Sequence, residues 1–567
     1  MYNVTFLPSN TAIVVDGGTI LDAAIAAGLR LDAPCGGRGK CGKCKVRSNG
    51  ETLLACQTLI TGDVSVDLTQ VSGHRILMGG LSREVALAPA VRSVIADVAK
   101  PSTADLRDCY TRLRAALAEK GVVLDAPAYP EILQKLYATL AANDNIVEVL
   151  YCGSEPLAVR KPGEALYGIA FDIGTTTIAA YLADLNSGEE LASASMLNPQ
   201  TTYGADVIMR TKYSVEHGSG ELTRVIRGAL NELARELLTH VKGSGESAAL
   251  VTVVGNTCMH HLFAGVSPES LAYAPYTATI TEALTLNARE YGFTGLMPGA
   301  KLLLFPNIAG FVGADTVGAA LAAEMDKAEV LTLLIDIGTN GEMVLGDKTR
   351  LVTCSTAAGP AFEGAAISCG MRGAEGAIDH VTLEITDVSE PSVKITLTTI
   401  GDENTEPKGI CGSGLIDLLS ELVRTGIVDD SGKFASGASE FCVYGESVSL
   451  SQKDIRELQL AKGAMAAGIE MMCAKLGVSD SDIKRVLIAG AFGSYMRPES
   501  ACGIGLIPPA LLPVVSAIGN AAGQGAKFAL LSQAEFERAA VLAGKMQYLE
   551  LAADPAFNDI FVDHLGF

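Results

Sequence analysis

"GIAFDIGTTTIAAYLADLNSGEELASAS" (residues 168–195) and "TLLIDIGTNGEMVLGDKTRLVTCS" (residues 332–355) follow one plan. Each begins with an apolar run that ends on an aspartate, then turns through Ile-Gly-Thr into a second run. A polar turn and a third run complete the unit. That order predicts strand, tight turn, strand, turn, strand, twice over. Asp172 and Asp336 occupy equivalent places. Two related halves that face each other leave a cleft between them, so a large duplicated α/β domain is expected over residues 164–567, with halves of about 164–330 and 331–567.

The turns carry the chemistry. Gly174, Thr175 and Thr176 follow the first aspartate, and Gly338, Thr339, Asn340 and Gly341 follow the second. Backbone N–H groups and hydroxyls at the end of a strand can wrap phosphate oxygens. A carboxylate beside them can hold a metal-bound water, as hard cations such as Mg²⁺ prefer. One such turn arises by chance in hairpins; two in matching contexts point to a nucleotide. In "VLIAGAFGSYM" (486–496) a buried strand runs into Gly490 and Gly493, where a nucleoside can lie on exposed backbone. In "KGICGSGLIDLL" (408–419), Gly409, Gly412 and Gly414 precede a helix whose N-terminus suits phosphate. Taken singly, each glycine turn reads as close packing. The chain has no G-x4-G-K-[ST] and no G-x-G-x-x-G after a strand, so P-loop and Rossmann binding are unsupported.

The N-terminal region is of another kind. "CGGRGKCGKC" (35–44) and "LLACQT" (53–58) space Cys35, Cys41, Cys44 and Cys56 as C-x5-C-x2-C-x11-C. Three thiols in one glycine-rich loop plus one from a neighbouring strand suit a [2Fe–2S] cluster. Structural zinc more often takes two separated C-x-x-C pairs. Gly36, Gly37, Gly39 and Gly42 let backbone N–H groups approach the cluster sulfurs. Arg38, Lys40, Lys43, Lys45 and Arg47 compensate an anionic cluster or steer an acidic electron donor. Strands around a helix capped by Thr19 and Asp22 make residues 1–75 a compact α+β unit. Residues 76–100 read as a linker, and 101–163 as a middle domain of two helices and two strands.

Composition agrees. The chain has 567 residues, a formal charge of −21 and a pI near 4.8, which argues against a nucleic-acid binder. "LIPPALLPVVSAIGNAAG" (506–523) is interrupted by three prolines and falls short of a membrane span. "MYNVTFLPSN" lacks the basic and apolar regions of a signal peptide, so a cytoplasmic protein is expected. Thirteen cysteines, an odd number with four crowded early, fit metal ligation plus reduced thiols better than disulfides. Cys258, Cys354, Cys369 and Cys411 show no ligand spacing and read as buried thiols. His260 and His261 read as packed and hydrogen-bonded rather than as cobalt ligands. Asp206 and Asp315 face either the cleft or a partner.

The two "DIGT" turns and "IAGAFG" resemble the phosphate-1, phosphate-2 and adenosine motifs of the acetate and sugar kinase, Hsp70 and actin (ASKHA) superfamily. The whole arrangement resembles the reductive activators of corrinoid enzymes, and "LNPQTTYGADVIMR" (197–210), "VVGNTCMHHLFAG" (253–265), "AAGPAFEGA" (357–365) and "GNAAGQGAKFALLS" (519–532) extend the likeness over nearly the whole chain. The resemblance implies a β-grasp ferredoxin-like domain, a small α/β middle domain and an ASKHA domain. It implies ATP-dependent reduction of Co(II) to Co(I) in a corrinoid protein of a methyltransferase system such as an O-demethylase. Asp172 and Asp336 would position Mg²⁺ and the attacking water. Gly174, Thr175, Thr176, Gly338, Thr339, Asn340 and Gly341 would cradle phosphates, with Gly412 and Gly414 beside them. Gly490 and Gly493 would meet the nucleoside. A low-potential ferredoxin, flavodoxin or reductase would be the donor, no nucleic acid or membrane would take part, and a homodimer is allowed. Two alternatives remain: an ATP-driven electron activator of a radical dehydratase, and a nucleotide-switched redox-sensing binding protein. The in-chain [2Fe–2S] domain argues against the former, and partner-stimulated ATP hydrolysis would exclude the latter.

Overall fold

The computed structural model describes residues 1–7, 11–27, 29, 44–48, 50–68, 83–241, 245–338, 340–359, 361–364, 366–385, 393–402, 405–493 and 495–567. The first unit comprises β1 (Tyr2–Leu7), β2 (Thr11–Val15), α1 (Ile20–Ala26), β3 (Lys45–Ser48), β4 (Glu51–Leu54) and β5 (Val64–Asp67). The sheet order is β2-β1-β5-β3-β4, with β1 and β5 parallel. Alternation along β1 and β3 sends Val4, Phe6 and Val46 inward onto Leu21 and Ala24 of α1. The Thr19–Asp22 capping box forms as expected: the Thr19 hydroxyl accepts from the Asp22 N–H at 3.2 Å, and the Asp22 carboxylate from the Thr19 N–H at 2.8 Å.

The next unit contains β6 (Arg92–Asp97), α2 (Cys109–Glu119), α3 (Pro130–Ala142), β7 (Ile146–Cys152) and β8 (Glu155–Arg160), in the antiparallel order β6-β7-β8. Within 76–100, read as a linker, Arg92–Asp97 is a strand that pairs with Tyr151–Ile146 along its whole length. Its partner lies some fifty residues downstream, so no local signal marks it. Arg160 and Glu148 form a buried pair at 3.0 Å, and the guanidinium also donates to the carbonyls of Ala165 and Glu164. The pair is hydrogen-bonded well enough to offset its desolvation and fixes the exit into the next strand.

The duplication appears as two sheets of matching topology. The first half contributes β9 (Tyr167–Ile173), β10 (Thr177–Asp184), β11 (Glu190–Leu197), α4 (Val207–His217), α5 (Gly220–Leu238), β12 (Ala248–Gly255), α6 (Thr257–Ala264), β13 (Leu284–Asn287), β14 (Lys301–Leu304) and α7 (Ala314–Ala322). The second has β15 (Thr332–Ile337), β16 (Gly341–Asp347), β17 (Arg350–Thr356), β18 (Ala377–Ile385), β19 (Val393–Thr399), β20 (Gly409–Ile410), α8 (Gly412–Arg424), β21 (Glu440–Tyr444), β22 (Val448–Ser451), α9 (Gln452–Leu476), β23 (Arg485–Ala489), α10 (Gly490–Gly493), α11 (Pro498–Gly503), β24 (Val515–Gly519), α12 (Ala521–Leu531), α13 (Gln533–Lys545) and β25 (Met546–Tyr548). The sheets run β11-β10-β9-β12-β14-β13 and β17-β16-β15-β23-β24, with β25 on the outer side of β17. In both, two antiparallel pairings are followed by two parallel ones. The central strands are buried on both faces and read as continuous apolar runs, as parallel strands under helices do.

One element crosses over. Helix α12, late in the chain, packs on α7 and on β9 and β12 of the first half. Glycines permit the approach: a Cβ on Gly525 would lie 2.0 Å from the Gly318 carbonyl oxygen, and one on Gly523 would lie 2.8 Å from the Tyr181 ring. The segment after the first unit is tied to the same helices. Ala88 exchanges backbone hydrogen bonds with Leu531 and Gln533, and Arg83 pairs with Glu535 at 2.5 Å while lying over the Phe528 ring. Among the described residues no helix is long and apolar enough to cross a membrane.

Candidate functional site

The two Asp-Ile-Gly turns meet at one cavity of about 280 Å³ between the halves. Asp172 is the penultimate residue of β9, and Gly174–Thr176 link β9 to β10. Gly174 is required there, because a Cβ would sit 2.6 Å from the Thr177 carbonyl oxygen. Asp336 is the penultimate residue of β15, and the Gly338 N–H closes its turn on the Asn340 carbonyl at 2.9 Å. Asp172, Gly174, Thr175, Thr176, Asp336, Gly338, Asn340, Gly412 and Gly490 all line the cavity. Thr339 lies outside the described residues.

Three glycines expected at the nucleotide stand behind the wall instead. A Cβ on Gly341 would meet the Thr356 hydroxyl at 2.8 Å, one on Gly414 the Ile378 carbonyl at 2.4 Å, and one on Gly493 the Ile488 side chain at 2.3 Å. They allow close packing of elements that carry the site. Gly409 likewise abuts the Cys369 carbonyl. Gly490 serves both ends: its φ is +89°, and a Cβ would lie 2.7 Å from Asp336 Oδ1. Gly490→Ala is therefore expected to cost about 1–3 kcal/mol of stability through backbone strain and to displace the Asp336 carboxylate. A lowered melting temperature together with weakened nucleotide binding, read by calorimetry, checks this.

Asp315, which the sequence allowed to face either the cleft or a partner, lines this cavity, and sequence reasoning missed Glu342, Asn256, Asn520 and Glu363, which line it too. Asp315, at the start of α7, and Glu342, on β16, face the same space as Asp172 and Asp336. Burial, then the Asp315 charge, pushes Asp172 up to about 7, and burial with the charges of Asp315 and Asp172 does the same for Asp336. Burial raises Asp315 to about 6 and, with the Asp315 and Asp336 charges, holds Glu342 well above the carboxylate range. Four buried carboxylates that repel one another leave this part of the cavity in need of positive charge, which would reverse these shifts. Asn520, the N-cap of α12, donates to Asp172 Oδ2 at 2.9 Å, and Asn256, the N-cap of α6, donates to the Thr175 hydroxyl at 2.9 Å. Both asparagines follow a strand-ending glycine in segments the sequence reading had singled out. Thr176 donates to Glu363 across the cleft at 2.9 Å.

Other candidates fall elsewhere. His260 and His261 are buried and held near-neutral by desolvation, with ring nitrogens 3.1 Å from the Phe305 carbonyl and 2.8 Å from the Thr279 amide. Cys258 and Cys354 are buried, Cys369 is half-buried, and Cys411 is a buried thiol at the cavity wall. Asp206 caps α4 by accepting from the Met209 N–H at 2.7 Å. Among the described residues no group of three or more His, Cys, Asp or Glu side chains is placed to hold a metal ion.

In the first unit Cys44 precedes β3 and Cys56 follows β4, and their sulfurs are 3.2 Å apart. Cys35, Cys41 and most of the basic collar lie outside the described residues; Lys45 and Arg47 are exposed on β3. Two thiols brought together from one sheet edge fit as half of an iron–sulfur ligand set.

Four known protein regions match successive parts of the chain. Residues 4–61 match the 2Fe-2S iron-sulfur cluster binding domain, 80–164 the RACo linker region, 167–328 the RACo middle region, and 330–567 the C-terminal domain of RACo, the ASKHA domain. The chain is 32% identical to the corrinoid activation enzyme RamQ of Eubacterium limosum, over 97% of this chain and 96% of that protein. It is 25% identical to a [Co(II) methylated amine-specific corrinoid protein] reductase of Methanosarcina barkeri, over 71% of this chain and 77% of that one. A solved reductive activator for corrinoid,iron-sulfur protein superposes with a TM-score of 0.76 at 32% identity, covering 100% of this chain and 98% of that one. The expected fold class, ferredoxin-like, middle and ASKHA parts together, stands.

Proposed function

This chain belongs to the family of reductive activators of corrinoid proteins, and we propose that it reduces the Co(II) form of a corrinoid protein to Co(I) with one electron, using ATP. The chain is an ATP-dependent activase with a [2Fe–2S] domain. The observation that carries the reading is the pairing of a thiol site with a cleft whose two Asp-Ile-Gly turns face each other in one molecule.

Both sites are needed for a physical reason. Cys44 and Cys56, with Cys35 and Cys41, would hold a plant-type [2Fe–2S] cluster, which would supply one electron at about −400 mV. Co(I) is reached only at lower potential, and each ~59 mV uphill lowers a one-electron equilibrium tenfold. A second free-energy source must shift the balance.

The cleft's residues supply the means to use one. Asp172 and Asp336 would hold Mg²⁺ and orient the attacking water, beside Asp315 and Glu342 on the same acidic wall. Thr175, Thr176, Gly338, Thr339 and Asn340 cradle the phosphates; Gly412 brings the N-terminus of α8 to them, and Gly490 lies against the nucleoside. Asn520 keeps Asp172 in place from a helix rooted in the opposite half of the chain. The Thr176–Glu363 hydrogen bond joins the two sides of the cleft, and a nucleotide that breaks or keeps it would shift the halves and with them the docking of the corrinoid protein. The donor is a low-potential reductant steered by the basic collar, the protein works in the cytoplasm, and a homodimer is compatible with this scheme.

The test is spectroscopic. Reduced protein mixed with a Co(II) corrinoid protein should yield Co(I) with ATP and Mg²⁺, and far less when the metal is chelated. Equal Co(I) formation in both would remove the reading.

A further inference from the structure

The stretch "LNPQTTYGADVIMR" contributes no residue to the cavity wall, yet it is among the most buried polar segments of the chain. Asn198, Gln200 and Arg210 are each 0% exposed. They gather directly behind the turn that joins β9 to β10. The Asn198 side chain donates to the Gly174 carbonyl at 2.9 Å, and the Asn198 N–H donates to the Thr176 carbonyl at 2.8 Å. Arg210 donates to the carbonyl between them, that of Thr175, at 2.5 Å.

All three carbonyls of the turn are thus held from the buried side. A trans peptide is planar, with its C=O and N–H pointing opposite ways. The N–H groups of Thr175, Thr176 and Thr177 therefore face the cleft, where all three residues line the cavity.

Arg210 also brings a charge. Its other donors go to the Gly204 carbonyl at 2.9 Å, Gln200 Oε1 at 3.4 Å and the Met259 sulfur at 3.0 Å. Every acceptor is neutral, and the guanidinium forms no ion pair among the described residues. Burial lowers its pKa to about 10, so it stays cationic at neutral pH. A buried cation without a carboxylate partner is costly, unlike the paired Arg160. The cavity itself is lined by six carboxylates and one guanidinium, Arg372, a poor environment for a polyanion.

We propose that Arg210 is the positioning residue of the phosphate-binding turn: it anchors the Thr175 carbonyl from behind, aims the turn's amides at the phosphates, and lends them its positive charge. The proposal rests on the nucleotide reading of the cleft. Wild-type protein that bound no Mg-ATP would remove that reading; the variants below test Arg210 itself.

Binding of Mg-ATP, Mg-ADP and adenosine is measured by calorimetry on wild type, Arg210→Met and Arg210→Lys. The Met variant should lose about thirtyfold or more in Mg-ATP affinity, less for Mg-ADP, and nothing for adenosine, as expected when a charge-assisted anchor is removed. The Lys variant keeps the charge and part of the anchor and should recover most of the Mg-ATP affinity. A parallel loss for adenosine, or unchanged Mg-ATP affinity in both variants, would overturn the proposal. So would failure of both variants to fold, since that would assign Arg210 to the stability of the fold and not to the site.

Discussion

Asp172→Ala is expected to lower ATP hydrolysis by about a hundred- to a thousandfold while leaving the iron–sulfur absorption spectrum unchanged. The size follows from removing one fixed charge that positions metal and water where negative charge develops. The carboxylate sits on the cavity floor with Asp315, Asp336 and Glu342, and its orientation is set by Asn520 at 2.9 Å. Alanine leaves that amide without its acceptor and, in the proposed role, would leave the cation with one fewer oxygen. Folding should survive, because the change also relieves repulsion in a crowded acidic group whose members are each pushed above their ordinary range. Asp336→Asn, close in shape, should show a loss of similar size. Steady-state phosphate release at saturating Mg-ATP measures both, and a wild-type rate in either would withdraw that residue from the catalytic role.

The converse effect is expected at the other end of the molecule. Cys44→Ala or Cys56→Ala should abolish the [2Fe–2S] signal in electron paramagnetic resonance and eliminate Co(I) formation, while Mg-ATP binding persists. The two sulfurs lie 3.2 Å apart at one edge of the sheet, as two ligands of one cluster would. A thiolate ligand has no substitute in alanine, and a cluster held by three ligands is lost or degraded. Retention of a full cluster in the Cys56 variant would mean that the fourth ligand comes from elsewhere. Taken together, the two variants separate electron carriage from phosphate chemistry within one chain.

Much of this was legible in the sequence, and for physical reasons. The duplicated strand–turn–strand order is a local pattern, and a strand ending on Asp before Gly-Thr constrains backbone and chemistry within five residues. Both sheets and both turns follow from it. The Thr19–Asp22 cap is equally local and forms as read. What the sequence hid depends on distant pairing. Arg92–Asp97 is a strand only because Ile146–Cys152 comes back to meet it. Helix α12 belongs spatially to the first half because small residues on it and α7 let backbones touch, a packing preference that a Gly-x-Gly run hints at but does not locate. Glu342, Asn520 and Arg210 are ordinary polar residues in their own segments. They become significant only when strands and helices from separate parts of the chain converge.

Glycines misled in a consistent way. Gly341, Gly414 and Gly493 sit beside residues that do line the cleft, so proximity in sequence placed them at the nucleotide. Their missing Cβ atoms serve contacts with Thr356, Ile378 and Ile488 instead. Gly174 and Gly490 line the cleft and also leave no room for a Cβ.

The central claim is that nucleotide chemistry in the cleft drives an electron onto cobalt against its gradient. It is tested most directly at a fixed reductant potential, by measuring the equilibrium yield of Co(I) with Mg-ATP, with a non-hydrolysable analogue and with no nucleotide. The account predicts a higher yield with Mg-ATP than without nucleotide, and the analogue shows how much of the shift binding alone supplies. The same yield in all three conditions would contradict it.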